Sequence, residues 1–370
     1  MNRDRQKAVV RDVLKIDCSR ESKRIETAIR ESVREKLQRR GVVVALSGGV
    51  DSSVVGALCV RALGPERVFG LLLPEKDSSP ETLLLSRMIV EHLGIPAECH
   101  DITDLLTTAG CYRYRDEAIR SVIADYGAGC KCKIVLPSLL ERENLRVFSV
   151  VVESPEGQRT RARLSVRAYL QIVAATNFKQ RVRKMLEYFH ADRLHYAVTG
   201  TPNRQEYDQG FFVKLGDGAA DLKPIAHLYK TQVYQMAEYL GLPREIRERP
   251  PTTDTYSMPQ DQEEFYFSVP YHVLDLCLYG RNHGMPAEEA ARLLSLETVQ
   301  VERIYKDIDT KRRTTRYQHL PPLLVEPIDE IRADDSHAAG SAQTRATVGA
   351  KGRVCGNSDF SSRPWETAYP

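Results

Sequence analysis

The sequence predicts an α/β fold built on a doubly wound parallel sheet, with helices on both faces. Three observations carry this. Short apolar runs rich in Val and Leu alternate with longer stretches of helical periodicity through the first hundred residues. The first run, Val42 to Leu46, feeds straight into Ser47-Gly48-Gly49-Val50-Asp51-Ser52-Ser53 and then a helical pattern, which is the strand–loop–helix of a phosphate cradle. Ser47, Pro74 and Asp101 lie at the ends of the first three strands, and doubly wound sheets bind ligands at the carboxyl ends of their strands.

Taken in order, residues 1–40 hold two helical patterns. In the second, Ile25, Ile29, Val33 and Leu37 form one apolar stripe among Arg, Glu and Lys. The strand at Val42 and its loop lead to a helix carrying Val54, Val55, Leu58 and Leu63, ended by Gly64-Pro65. Arg67 to Pro74 reads as a second buried strand. Pro80 to Gly94 reads as a helix with proline near its start and glycine past its end. Ile95 to Thr103 reads as a third strand. From about 107 to 176 regularity lapses, and a β-hairpin around Ser154-Pro155-Glu156-Gly157 is expected within an insertion. A helix over Asn177 to His190 and a strand at His195 to Thr199 resume the pattern. Leu228 to Pro243 is a helix capped near Gly241, and residues 250–330 read as short helices broken by prolines. Residues 1–330 are thus expected to form one domain, and the Gly/Ser/Ala-rich 331–370 a disordered tail.

Composition narrows the classes. A hydrophobic content of 42% with 28% charged residues is that of an ordinary globular chain, and a net charge of +3 is too mild to argue for nucleic-acid binding. No run is long enough to span a membrane, and the charged N-terminal stretch lacks the apolar segment of a secretory signal. Eight scattered cysteines suit a reducing, cytoplasmic setting. Cys130-x-Cys132 lacks the two-residue spacer usual in zinc or cluster sites, so incidental cysteines in an insertion are expected there.

The Ser47–Ser53 loop offers close backbone approach at its glycines and the orphan N–H groups of a helix start, both suited to an anion. No lysine follows the second glycine, which sets it apart from the Gly-Lys-Ser/Thr phosphate loop. It resembles the SGGxDS pyrophosphate loop of the N-type ATP pyrophosphatases, a Rossmann-like group that splits ATP between its α and β phosphates. A second constellation narrows the resemblance. Gly200-Thr201, Glu206, Gly210-Phe211 through Lys214, Gly216-Asp217-Gly218, Asp221, Pro224-Ile225 and Leu228 with Lys230 resemble the substrate region of ammonia-dependent NAD synthetases. "NFKQRVR" upstream and "PPTTD" downstream are similar to further motifs of that family. The similarity spans roughly residues 20–325, apart from the hairpin insertion.

That resemblance implies an ATP-dependent amide ligase. A carboxylate resists ammonia because its leaving group would be oxide, so the enzyme adenylates deamido-NAD, and ammonia then displaces AMP. The resemblance assigns ATP to Ala45, Leu46, Ser47, Gly48, Gly49, Val50, Asp51, Ser52, Thr201, Lys230 and Thr252. It assigns Mg²⁺ to Asp51 and Glu206, and deamido-NAD to Arg181, Lys214 and Asp221. Positioning and charge stabilisation suffice, with no covalent nucleophile. Bland readings stand beside these. Asp51 could cap the following helix, Glu206 could be a surface residue, and Lys214 and Lys230 could be solvated. Asp217 between glycines is as well explained as a turn former.

The resemblance further implies a homodimer. The first 40 residues are too few for an amidase domain, so ammonia would arrive free or from a separate protein. Two departures bear on the acid. The basic residues Lys311, Arg312, Arg313 and Arg316 lie earlier than the family's Lys-Arg pair, and the hairpin insertion falls near the substrate side. The alternatives are a paralogue amidating a different carboxylic acid and a tRNA- or nucleobase-modifying ATP pyrophosphatase.

Overall fold

A computed structural model of the chain describes residues 3–140, 147–250 and 255–328. Contacts divide the chain into a unit ending at Leu320 and a second from Pro321. Of the second, the described residues 321–328 are exposed and carry neither helix nor strand. The expected tail, 331–370, and Thr252 lie outside the described residues.

Two helices open the chain, α1 (Arg3–Val13) and α2 (Cys18–Glu31). Asp17 caps α2 by accepting from Arg20 N, and the helix runs on into a π turn at Ser32–Lys36. Strand β1 (Val42–Ala45) follows, then α3 (Val50–Leu63), β2 (Val68–Leu72), α4 (Pro80–Leu93) and β3 (Ala97–Cys99). A short helix, α5 (Thr103–Thr108), follows, and α6 (Cys111–Arg120) stands where lapsed regularity was expected. Next come β4 (Lys131–Val135), β5 (Ser149–Glu153) and β6 (Arg159–Arg163), an antiparallel sheet in that order. The β5–β6 turn is the hairpin expected at Ser154–Gly157; β4 is a third strand the sequence reading did not foresee.

The helix expected from Asn177 begins eleven residues earlier. Helix α7 (Val166–Leu194) has 29 residues. Leu164-Ser165-Val166-Arg167-Ala168 alternates like a strand, but Ser165 caps a helix by accepting from Ala168 N at 3.2 Å. Ala168, Ile172 and Ala175 then bury one face at helical spacing. Strand β7 (Ala197–Thr199) and the short α8 (Arg204–Gln209) lead to α9 (Lys230–Tyr239) and α10 (Arg244–Glu248). The end is helical: α11 (Tyr271–Asn282), α12 (Ala287–Leu294) and α13 (Thr298–His319), the last longer than the short helices expected.

The main sheet is parallel throughout, in the order β3-β2-β1-β7, with Val42 opposite both Val68 and Ala197. Its two faces alternate along β1. Val42 and Val44 pack with Ile25 and Ile29 of α2, Val54 and Leu58 of α3 and Met236 of α9. Val43, with Phe69 and Leu71 of β2, packs on the other side against Leu106 of α5, Cys111 of α6 and Ala191 of α7. Helices on both faces make the sheet doubly wound, as the alternation of elements predicted. The chain runs outward from β1 to β3, then returns to place β7 on the other side of β1, so the C-terminal ends of β1 and β7 flank the topological switch point. Among the described residues no helix is long and apolar enough to cross a membrane.

Candidate active site

The Ser47–Ser53 loop leaves the end of β1 at that switch point. Gly48 has φ +67, and a Cβ there would stand 2.6 Å from Leu85 Cβ and 2.9 Å from Ser86 N of α4. Only glycine lets α4 close against the loop. Gly49 is the N-cap of α3 and supplies no side-chain cap, so the first N–H groups of α3 remain available to an anion. Ser52 Oγ accepts from Ser47 N at 3.3 Å and donates to Gly49 O at 3.1 Å, which ties the loop back on itself. Ala45, Leu46, Ser47 and Thr201 line one pocket between β1, β2, β7 and α7.

Asp51 does not cap α3. Its Oδ2 receives Lys230 Nζ, and its Oδ1 accepts from Asn203 Nδ2 at 2.9 Å. Asn203 is fully buried and its other groups serve Glu206: its Oδ1 accepts from Glu206 N, and its own N–H donates to Glu206 Oε2 at 3.1 Å. This reciprocal capping box starts α8. Gln262 Nε2 donates to the remaining oxygen, Glu206 Oε1, at 2.9 Å. The phosphate loop and the second constellation therefore meet on one asparagine.

Electrostatics follow from this packing. Burial, and then the Asp51 carboxylate, push Glu206 up to about 7, against the pull of Lys230. Burial draws Lys230 down, but Asp51 and further negative groups outweigh it and hold the ammonium charged. The start of α9, where Lys230 sits, is pinned by Asp275 of α11, which accepts from Lys230 N at 3.1 Å and Thr231 N at 2.7 Å. Asp275 is wholly buried, and burial lifts its carboxyl to about 6 despite those bonds. Asp51, ion-paired to the Lys230 ammonium, and Glu206 offer carboxylate oxygens of the hard kind that Mg²⁺ takes.

The residues expected to contact deamido-NAD, Arg181, Lys214 and Asp221, do not line that pocket. Arg181 Nε donates to Lys214 O at 3.4 Å, so these two are neighbours. Lys214 Nζ donates to Tyr317 O and Leu320 O at 2.9 and 3.0 Å. Asp221 accepts from Val198 N at 2.7 Å and from the Tyr188 hydroxyl at 3.3 Å, closing the loop after β7. Asp217 Oδ1 accepts from Val213 N at 2.7 Å, the turn-forming role, while its residue also lines the pocket. Of the basic residues in α13, Arg312 is paired with both oxygens of Asp208. Cys132 is packed in the core of the antiparallel sheet, with the Tyr126 hydroxyl 3.5 Å from its sulfur.

Sequence reasoning missed Asn203, Gln262 and Asp275. The Asn-x-x-Glu spacing of a capping box could have flagged Asn203. Asp275 stands inside the apolar run His272-Val273-Leu274-Asp275-Leu276, where a lone acid signals a buried partner. Nothing local marks Gln262.

A doubly wound sheet with an SGGxDS loop at its switch point defines an N-type ATP pyrophosphatase. The solved structure of the NH3-dependent NAD synthetase from Campylobacter jejuni, in complex with nitrate ion, shares the fold at TM-score 0.54 and 22% identity, over 84% of this chain and all of that one. The NMN synthetase structure from Francisella tularensis does so at TM-score 0.55 and 21% identity, over 84% of this chain and 99% of that one. The sequence model of the NAD synthase family matches residues 21–126 and 150–318, and the chain belongs to that family. It is 57% identical to the NH(3)-dependent NAD(+) synthetase of Mesorhizobium japonicum over 318 residues, 86% of this chain and 100% of that one. It is 56% identical to the enzyme of that name from Rhizobium meliloti, over 86% of this chain and 96% of that one. The stretch the family model leaves unmatched, 127–149, contains β4 and not the expected hairpin.

Proposed function

We propose that this protein is an ammonia-dependent NAD⁺ synthetase. The observation that carries the reading is the meeting of Asp51 and Glu206 on Asn203, beside Lys230 and the uncapped start of α3. Identity over the full length of a relative with that printed name supports deamido-NAD over another acid.

The chemistry runs in two displacements. An oxygen of the nicotinate carboxylate attacks the α-phosphorus of ATP, the bond to the β-phosphate oxygen breaks, and pyrophosphate leaves. Ammonia then attacks the acyl carbon of the adenylate, the C–O bond to AMP breaks, and the amide forms with loss of a proton. The departing pyrophosphate gathers negative charge, which the backbone N–H groups of Val50, Asp51 and Ser52 at the uncapped start of α3 are poised to receive. Lys230 would face the phosphates, and Ala45, Leu46 and Thr201 the nucleoside side of the pocket. Thr252 completes the ATP set by resemblance alone. Asp51 and Glu206 would hold Mg²⁺, which supplies charge neutralisation at the phosphates. Arg181, Lys214 and Asp221 are assigned to deamido-NAD, whose own pyrophosphate suits cations.

The nitrogen source is ammonia, free or handed over by a separate protein. A homodimer is expected, supported by two exposed apolar pairs on α7, Val166 with Leu170 and Met185 with Phe189. The cytoplasm is the expected compartment, supported by free cysteines at Cys18, Cys59, Cys99, Cys111, Cys130, Cys132 and Cys277.

The test is direct. Purified protein with ATP, Mg²⁺, ammonium and deamido-NAD is expected to form NAD, AMP and pyrophosphate in equal amounts. Pyrophosphate release with another acid and none with deamido-NAD would replace the substrate. AMP release dependent on tRNA would favour a nucleobase-modifying enzyme.

A further inference from the structure

The unmatched stretch places a strand edge where the active site needs support. One side of β4 pairs with β5. The other side, and the chain just beyond it, receives residues 257–268. Cys132 N donates to Ser257 Oγ at 2.9 Å, and Met258 N donates to Cys132 O at 3.1 Å. Gln260 Nε2 donates to Ile134 O, and Lys133 pairs with Glu264 at 2.7 Å. Leu136 N donates to Glu264 O at 3.1 Å, and Leu139 N to Ser268 O at 3.0 Å.

The held stretch has little structure of its own. It contains one π turn, Glu263–Phe267, and ends at Ser268 with φ +62, a conformation costly for a residue with a side chain. The brace takes hold at that residue, since Ser138 Oγ and Leu139 N both donate to Ser268 O. Midway along sits Gln262, bonded to Glu206.

We propose that residues 131–139 brace this stretch so that Gln262 orients the Glu206 carboxylate for its ligand. Gln262 is then a positioning residue, and the segment outside the family model serves the site without touching substrate. The proposal rests on reading Glu206 as a Mg²⁺ ligand.

The experiment compares S257A/Q260L, which cuts two side-chain ties of the brace, with Q262L, S257T, Glu206→Gln and the parent. Amide hydrogen exchange is followed by mass spectrometry over 257–268, with α11 as internal control, and the Mg²⁺ concentration for half-maximal NAD formation is measured. In S257A/Q260L, exchange over 257–268 is expected to quicken about tenfold while α11 keeps the parent rate. Its half-saturating Mg²⁺ is expected to rise about tenfold, with KM for deamido-NAD within about twofold. Q262L should show the Mg²⁺ shift without the exchange change, and S257T, which keeps the hydroxyl, should match the parent. Faster exchange throughout the chain, or faster local exchange with parent Mg²⁺ dependence while Glu206→Gln does shift it, overturns the brace alone. Parent Mg²⁺ dependence in Glu206→Gln overturns the ligand reading and the brace with it.

Discussion

Asn203 links two motifs that lie 152 residues apart at the contact it makes with Asp51. Its amide spends its donor on Asp51 and its acceptor on the start of α8, so its truncation has two separable effects. Asn203→Ala should cost about 1 kcal/mol through the lost cap, read by urea denaturation. It should also lower kcat/KM for ATP by about tenfold or more, because a hydrogen bond to a charged group is worth about 1.5–3 kcal/mol. A loss of stability with unchanged kcat/KM would reduce it to a cap. Asp275 makes a pH prediction. Its folded pKa is raised, from 3.8 to about 6, so the folded state favours the protonated form. That contribution is complete below 3.8 and is lost as pH climbs through 6. The stability difference between the protein and Asp275→Asn should therefore move in the variant's favour between pH 4 and 6, by up to about 3 kcal/mol. A difference flat across that window would contradict the burial argument.

At the scale of elements, α7 joins tasks that are distant along its length. Its buried face closes the sheet at Ala191 and the antiparallel sheet at Ala168 and Ile172. Its outer face leaves Met185 and Phe189 exposed by 55% and 58%, one helical turn apart. If the protein is the expected dimer and this face is its contact, replacing both with Asp should leave the circular dichroism spectrum intact and convert dimer to monomer by light scattering. An unchanged dimer mass would remove α7 as the contact, and a monomeric parent would overturn the dimer. The start of α7 was illegible because a Leu-Ser-Val-Arg-Ala run satisfies both a strand's alternation and a capped helix entry. Only the surfaces packed against Ala168 and Ile172 choose between them. Strand β4 was missed for a related reason: Lys131-Cys132-Lys133 looks polar, yet every second residue is buried by partners remote in sequence.

Across the whole molecule, one buried ionic cluster ties segments that no local pattern connects. Lys179 of α7, only 1% exposed, donates to Glu75 at 2.7 Å, to Asp77 at 2.8 Å and to Thr255 O at 2.7 Å. Arg115 of α6 completes the balance at 2.5 Å from Asp77, and the Tyr112 hydroxyl bonds Glu75 at 2.7 Å. Lys179→Met should cost about 3–5 kcal/mol, since it strands buried carboxylates. Adding Glu75→Gln and Asp77→Asn should recover much of that loss in urea unfolding; no recovery would mean packing, not charge, holds the cluster.

By itself the sequence determined the alternation of strands and helices, the phosphate loop with its glycines, and the family. These rest on periodicities and spacings within a few dozen residues, which local sterics and hydrogen bonding dictate. The tertiary structure alone decided that Asp51 turns away from its own helix toward Asn203 and Lys230, that Gln262 reaches Glu206, and that β4 has an edge to offer. Those contacts join residues 56 to 179 positions apart. Their partners are set by the sheet order, which brings β7 back beside β1 and so makes one site from two distant motifs.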